Sequence, residues 1–543
     1  MRTVDPTIWS KKIQRRKLRL SRPLRFGPRW GLEARVRGSF RDAMAEFWRN
    51  CSVEGVRRIV NEDTPQYERY RWMLLVTISL VAGLLALSMN LARLVTEPPL
   101  VISLQSAQHS IEDLAFPAVA LCSFNIVSQK KLDKISADLF RKDRNLTYSL
   151  AAIRQNLLDS GALLTLALPV VDLQFAHYLS KIAPDGVLNV TLLMHELAPS
   201  CEDVLLKCSW AGKEKPCDRL FATRTTSVGV CCVFNGRYED FDRHTSPKIL
   251  NKVGLENGLS VAIREDVDDF AYERKPSAGI EVLIFDGTEY PFLEGGSVRV
   301  QLAPRETSSF YTISVRAQLV SPEIVYFTEA WRGCRISEPS GARSGRSYSW
   351  CLLECRRDAA LQLCGCVPYS LQPRQERVCT LNELSCLNKH REKLMYYHPM
   401  GYALDDPDGG ALSEELQDAL SCPDCCADCA RPVYGVTASY APMSGRHKSV
   451  FLDKFTHGLS LINTSVFHFF YSSEDQYLYT VMSNSDWYET IGSISSQCVI
   501  LLGVSLVSVF ELVFHCTVRW RHHYKRRRRL RIQQKAFAGA LRF

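Results

Sequence analysis

The sequence predicts a membrane protein with two transmembrane helices and a large disulfide-rich α+β domain strung between them. Three observations carry this. Residues 72–92 and 490–510 are each 21 residues without a charged side chain, and a helix needs about 20 apolar residues to cross the hydrocarbon core. Basic residues crowd the terminal side of each span. Of 20 cysteines, 17 lie between Cys122 and Cys429.

From the N-terminus, residues 1–40 are basic and turn-prone, and are expected to be poorly ordered. Residues 40–54 read as a short amphipathic helix, with Phe40, Met44, Phe47 and Cys51 on one face and Gly55 after it. Nothing in residues 1–71 resembles a cleavable signal, so span 72–92 would act as an uncleaved anchor. Arg57, Arg58, Arg69 and Arg71 precede that span, and only Arg93 follows it closely. Residues 470–489 hold no Lys or Arg, whereas Arg519, Arg521, Lys525 and Arg526 to Arg529 follow the second span. Positive residues stay on the cytoplasmic side. Both termini are therefore expected inside, and residues 93–489 outside.

Net charge divides the same way. Residues 1–71 carry 18 basic and 8 acidic side chains, and residues 517–543 carry 10 basic and none acidic. Each end is thus +10, and the total of +9 leaves −11 for the remainder. The run KRRRRLR (525–531) fits nucleic acid or nuclear import in isolation. Beside a membrane span it reads as a topology signal in contact with anionic lipid, and no nucleic-acid partner is expected.

Cysteines packed this densely in an exported region form a disulfide framework. CPDCCADC (422–429) has metal-like spacing, but zinc sites of this kind use reduced thiolates, so no metal is expected. Seventeen is odd, and the doublet Cys425-Cys426 is where one thiol is left over. Sequons at Asn145, Asn189 and Asn463 fall in the same exterior segment. Asn50-Cys-Ser lies inside and should stay bare. The runs 116–124, 280–285, 297–302, 310–320 and 465–471 are β-branched and aromatic and predict strands. Residues 141–161 predict a helix ending on Gly161. Two spans cannot line a pore alone, so conduction would require oligomerisation.

The second span holds small polar residues where an anchor needs none. Gly492, Ser496 and Gly503 fall near one helical face, which suits close helix packing. A functional reading uses them together. Gly503 permits non-helical backbone, and freed carbonyls with a Ser hydroxyl can replace part of a cation's water shell. Such backbone is tolerated at membrane depth only where it lines water or is buried in protein. Glu511 below it favours cations or, more plainly, reaches the headgroups. Asp486 and Glu489 above it, with Glu474 and Asp475, form a negative outer mouth that concentrates cations.

GVSLVSVFE (503–511), FPAVALCSFN (116–125) and the cysteine series 334, 351, 355, 364, 366, 379, 386 with the 422–429 cluster appear in one order. On these motifs the chain resembles the degenerin/epithelial sodium channel family, most of all its arthropod pickpocket subunits, from about residue 40 to residue 516. The resemblance implies a homotrimer or heterotrimer of two-span subunits in the plasma membrane, conducting Na+ and blocked by amiloride. It implies a hand-like exterior of palm, finger, thumb and β-ball. The thumb would span about 334–429, between a pre-span gating segment within 1–71, a second span over 490–515 and a basic tail over 516–543. It pairs Cys364 with Cys386, Cys366 with Cys379 and Cys334 with Cys429, and sends Cys351 and Cys355 into the 422–426 group. Cys122 and the five other early cysteines can then pair fully.

By the same resemblance Gly503, Val504 and Ser505 form the selectivity filter, and Gln497 fits the pattern. Gly492 is where larger residues hold such channels open. Two departures stand out. Before the first span the family carries His-Gly, and here the pair is Glu54-Gly55. Val499 stands where the blocker usually meets Gly or Ser, which predicts weakened amiloride block. Ser495-Ser496 also replaces a common Gly-Gly. The expected function is a stimulus-gated cation channel subunit, without cofactor. The alternative is a non-conducting receptor subunit of a heteromeric channel. An ATP-gated trimer shares the layout but leaves the filter motif and cysteine series unexplained. No protease helix, phosphate loop or nucleophile motif points to an enzyme.

Overall fold

A computed structural model describes residues 32–61, 63–96, 100–143, 147–169, 172–182, 188–239, 245–293, 297–336, 347–398, 419–443, 454–484 and 486–540. They form two compact units, one from residues 1–99 and 484–543, the other from residues 100–483.

The larger unit is built on two sheets. One has the spatial order Leu100–Ser110, Asp475–Ser483, Thr307–Val320, Thr464–Tyr471, Leu259–Arg264, Leu205–Trp210, Lys213–Lys215, with Arg431–Pro442 also paired to Thr307–Val320. The other runs Arg299–Pro304, Gly279–Phe285, Ala118–Ser123, Gly229–Phe234, Phe221–Thr226. The five strand-like runs of the sequence all fall on these strands. Two sequence patterns have two structural causes. Thr307–Val320 alternates, burying Ser309, Tyr311, Ile313, Val315 and Ala317, as a strand with one covered face does. Ala118–Ser123 and Gly279–Phe285 are buried along almost their whole length because both faces are covered, and the one charge among them, Glu281, is paired with Arg274 and Lys275. Val119, Leu121 and Ile280 meet Val261, Ile313 and Phe467 of the other sheet in the principal core. Ala120, Leu283 and Phe285 pack on the opposite side with Trp350 and Leu353.

The expected helix over 141–161 is two helices. Gln129–Lys142 ends at Asp143, whose carboxylate accepts from the Thr147 N–H at 2.8 Å. Ser149 then caps Leu150–Asp159. Short polar side chains offered the backbone a cap in place of a continued ladder. Asn189 is an N-cap too, its side chain accepting from the Leu192 N–H at 3.0 Å.

Eight disulfides staple this unit. Cys122 joins Cys231, Cys201 joins Cys232 and Cys208 joins Cys217. Helix Tyr348–Cys364 carries Cys351 and Cys355 one turn apart on one face, and they reach Cys425 and Cys422. Cys334–Cys429 closes one end of this ladder, and Cys364–Cys386 with Cys366–Cys379 the other. Cys426 remains free and buried.

Glu289 is buried in this unit, and burial pushes its carboxyl up to about 7 against the opposing Ser297 hydrogen bond. The folded protein therefore keeps a proton that the unfolded chain, titrating near 4.5, has released. That contribution is complete below the unfolded value and is lost as pH rises through about 7. The loss amounts to about 3 kcal/mol at most. Glu289→Gln is expected to raise the unfolding midpoint at about pH 8 and to leave it nearly unchanged at about pH 4. Thermal unfolding of the purified chain at both values checks this.

The smaller unit is helical. Gln66–Thr96 contains the first span and is the one described helix long and apolar enough to cross a membrane by itself. Helices Trp487–Leu502 and Leu506–Leu530 pass that test together, bent by 79° at a short break. The pre-span helix departs from expectation. It runs Leu32–Asn50, and a second helix follows over Glu54–Val60. Residues 1–31 lie outside the described residues. Ala43 and Phe47 are buried with Cys51, whereas Phe40 is 44% exposed. The inward face is one residue round from the predicted one, because small Ser39 and Ala43 allow the closer approach.

Candidate functional site

The second span breaks where the sequence carries Gly503-Val504-Ser505. Gly503 ends the upper half-helix at φ 63°, in the left-handed region, which costs Gly little and other residues more. The Gly503 N–H donates to the Val499 carbonyl at 3.0 Å, and the Val504 N–H to Cys498 at 3.2 Å. The Ser505 N–H turns to the Ser508 hydroxyl, 3.3 Å away. The carbonyls of Ile500 and Leu501 thereby lose the donors, Val504 and Ser505, that a continuous helix would supply. The Ser505 side chain accepts from the Ser508 N–H and caps Leu506–Phe514. Its hydroxyl is thus engaged with the lower half-helix, and the freed backbone carbonyls are the oxygens the break offers.

A Cβ on Gly492 or on Gly503 would meet nothing within 4 Å. Neither glycine packs against another helix of this chain. Within the first span Gly83 does so, its added Cβ lying 3.4 Å from Leu502. Its place at the centre of span 72–92 was its only signal in the sequence.

Glu511 lies half-buried two turns below the break, and its Oε2 accepts from the Ser52 N–H at 2.9 Å. The hydroxyls of Ser52 and Ser508 are 2.6 Å apart. The segment between the two pre-span helices is therefore bonded to the lower half of the second span, on the side chains just beneath the break. Sequence reading missed Ser52 and Ser508 as partners, for they are 456 residues apart. Gly55 sits where a Cβ would come 2.9 Å from Val76 and 3.7 Å from the Trp72 ring, so glycine lets the pre-span helix lie against the first span. Arg58 stacks over Trp72 at 4.8 Å. Glu54 begins that helix, and its side chain lies outside the described residues.

Among the other predicted site residues, Asp486 is the N-cap residue of Trp487–Leu502 and Glu489 is exposed in its first turn. Val499 is exposed one turn above Gly503. Asn189 is exposed. Asn463 is half-buried and accepts from Arg305 at 2.6 Å, and Asn145 lies outside the described residues. No group of side chains suited to a metal ion occurs among the described residues.

Known proteins resemble this chain in sequence over much of its length. Pickpocket protein 28 of Drosophila melanogaster is 23% identical over 532 residues, covering 89% of this chain and 79% of its own. Sodium channel protein Nach of Drosophila ananassae is 22% identical, covering 90% of this chain and 89% of its own. Acid-sensing ion channel 4 of Homo sapiens is 26% identical over a shorter region, 62% of this chain and 57% of its own. Residues 47–515 match the family described as amiloride-sensitive sodium channel. The pre-span segment, both span helices, the disulfide-rich unit and the broken second span all fall within that match, and the chain belongs to the amiloride-sensitive sodium channel family.

Proposed function

We propose that the chain is a pore-forming subunit of a sodium-selective cation channel of the plasma membrane. The observation that carries this reading is the break at Gly503, which frees backbone carbonyls inside an otherwise apolar span. Three copies, as homotrimer or heterotrimer, would place three such breaks around one axis. Gly503, Val504 and Ser505 are the filter, and Glu511 is the inner charge that favours cations. Residues 93–489 lie outside, where an oxidising environment preserves the eight disulfides, and Asn145, Asn189 and Asn463 are the glycan acceptors. Both termini are cytoplasmic. Gating passes from the exterior through the spans to the inner mouth, where Ser52 ties the pre-span segment to Ser508 and Glu511. Val499 weakens amiloride block.

A second reading is a receptor subunit that no longer conducts, and Glu54 in place of His favours it. Ion substitution separates the two. Oocytes expressing the chain, alone and with related subunits, are expected to carry inward sodium current that vanishes when N-methylglucamine replaces sodium. Glu511→Gln keeps an oxygen for the Ser52 N–H and removes the charge. A unit charge some 4 Å from an ion in water is worth about 1 kcal/mol, so inward conductance should fall about fivefold. Surface protein without current in any combination would favour the receptor reading.

A further inference from the structure

The strand Thr307–Val320 leads into a short segment whose aromatic side chains face out. Pro322–Tyr326 is a 3-10 helix, and Glu329–Arg332 is a single helical turn. The segment is tied at both ends. The Ser321 N–H donates to the Val481 carbonyl at 2.9 Å, and Cys334 is bridged to Cys429. Arg332 holds its middle, its guanidinium donating to the carbonyls of Ile324 and Val325 at 3.4 Å and to that of Cys334 at 3.3 Å. Ile324 is buried beneath it. Val325, Tyr326 and Trp331 are instead 54%, 89% and 54% exposed, and the Trp331 ring packs against Phe327 with centroids 4.8 Å apart.

We infer that Val325, Tyr326 and Trp331 dock at the headgroup boundary of the outer leaflet, on zwitterionic phospholipid. Chain continuity is the first argument. Thr307–Val320 runs parallel to Asp475–Ser483, with Val320 opposite Val481. Both strands therefore leave the sheet at one end. One continues into this segment, and the other, after three residues, into the second-span helix at Trp487. Leu100–Ser110 enters at that same end from the first span, with Ile102 also opposite Val481. Six residues separate Val481 from Trp487 and six separate Ile102 from Thr96, and six residues reach about 21 Å at most. The chain cannot carry the start of this segment much further than that from either span helix. Side-chain chemistry is the second argument. Tyr and Trp combine an apolar ring with a polar tip and collect at membrane–water boundaries. Charge is the third. The cations of the segment are turned inward, Arg332 to backbone carbonyls and Arg335 to Glu329 at 3.4 Å. What faces out is aromatic, with Glu323 beside it, a combination that attracts the quaternary ammonium of choline. The inference rests on the membrane placement proposed above, and does not need conduction.

The test uses the full chain in POPC nanodiscs, carrying photoreactive p-benzoylphenylalanine at position 326. Illumination followed by mass spectrometry identifies what the label touches. A second preparation carries the label at position 462 as the control. Ile462 is 76% exposed and precedes Thr464–Tyr471, whose Val466 pairs with Ser308. That is the far end of Thr307–Val320, about 40 Å from Val320 at 3.3 Å per residue. A phosphatidylcholine adduct is expected at 326, and only background at 462. Changing Val325→Ser and Trp331→Ser together should weaken the adduct about tenfold, the effect of returning half of a large apolar side chain to water. Should that variant misfold, the comparison of 326 with 462 in the otherwise unaltered chain decides alone. Lipid adducts of equal yield at 326 and 462 would overturn the inference. Cross-links from 326 to a neighbouring copy or to the first span, in place of lipid, would overturn it too. Loss of sodium current in the functional assay leaves this readout unaffected, so the two proposals fail separately.

Discussion

Removing both middle rungs of the disulfide ladder, Cys351–Cys425 and Cys355–Cys422, is expected to abolish surface expression, while removing either rung alone is tolerated. The argument is one of chain entropy. With Cys355–Cys422 present, the Cys351–Cys425 bridge closes a small ring made of residues 351–355 and 422–425. A ring of about eight residues stabilises by about 2.5 kcal/mol. When both go, the last one lost had closed, against Cys334–Cys429, a ring made of residues 334–355 and 422–429. A ring of about 30 residues adds about 3.5 kcal/mol, for a total of about 6. Ordinary domains have only about 5–15 kcal/mol to lose. The ladder also organises a small core, in which Cys422 and Cys425 pack with Leu352 and Leu420. The paired variant C351S/C425S avoids leaving Cys425 as a thiol beside free Cys426. Surface biotinylation of the two single-rung variants and the fourfold variant measures the effect. Equal expression of all three would show that the rungs do not act as a nested pair.

Gly503→Val is expected to abolish selective conduction, and Gly503→Ala to weaken it. At φ 63° an ordinary L-residue is strained by roughly 1–2 kcal/mol, equivalent to about a 5- to 30-fold loss of that backbone conformation. A β-branched side chain suffers more, because its rotamers are fewer. No side chain stands in the way, since an added Cβ meets nothing within 4 Å. The effect is therefore one of backbone and not of crowding. Relief of the strain restores helical geometry, re-forms the ladder and withdraws the carbonyls of Ile500 and Leu501 from the ion path. The measurement is the reversal potential under sodium–potassium exchange. A valine variant with unchanged selectivity would remove the freed carbonyls from the account.

What the sequence disclosed follows from the range of each signal. Strands were legible because their burial is written into adjacent residues, as in Ala118–Ser123 and Thr464–Tyr471, buried almost throughout. The first span was legible as a continuous uncharged apolar run, although its helix extends from Gln66 to Thr96. Local competition was harder to read. Asp143 and Ser149 carry cap signals that the apolar periodicity of 141–161 outweighed. The inward face of Leu32–Asn50 was misplaced because Phe40 looks like core and Ala43 does not, yet close helix approach favours the smaller residue. Disulfide partners were open on spacing alone, and the proposed pairs came from family resemblance. The bonds joining Ser52 to Ser508 and Glu511 left no trace in any local window, because a hydroxyl pair has no periodicity. Glu511 consequently read as a free inner charge, whereas it also accepts a backbone N–H from the pre-span segment.

The most direct test of the central claim is whole-cell current from oocytes expressing Gly492→Phe, with surface protein measured in parallel and Ser505→Ala as a selectivity control. An added Cβ on Gly492 meets nothing within 4 Å in the described residues of one chain, so in the proposed trimer a bulky residue there is expected to act by crowding the neighbouring copies. The account predicts a standing sodium current without any stimulus, with a reversal potential that Ser505→Ala shifts. Abundant surface protein with no current, alone and beside related subunits, would contradict it.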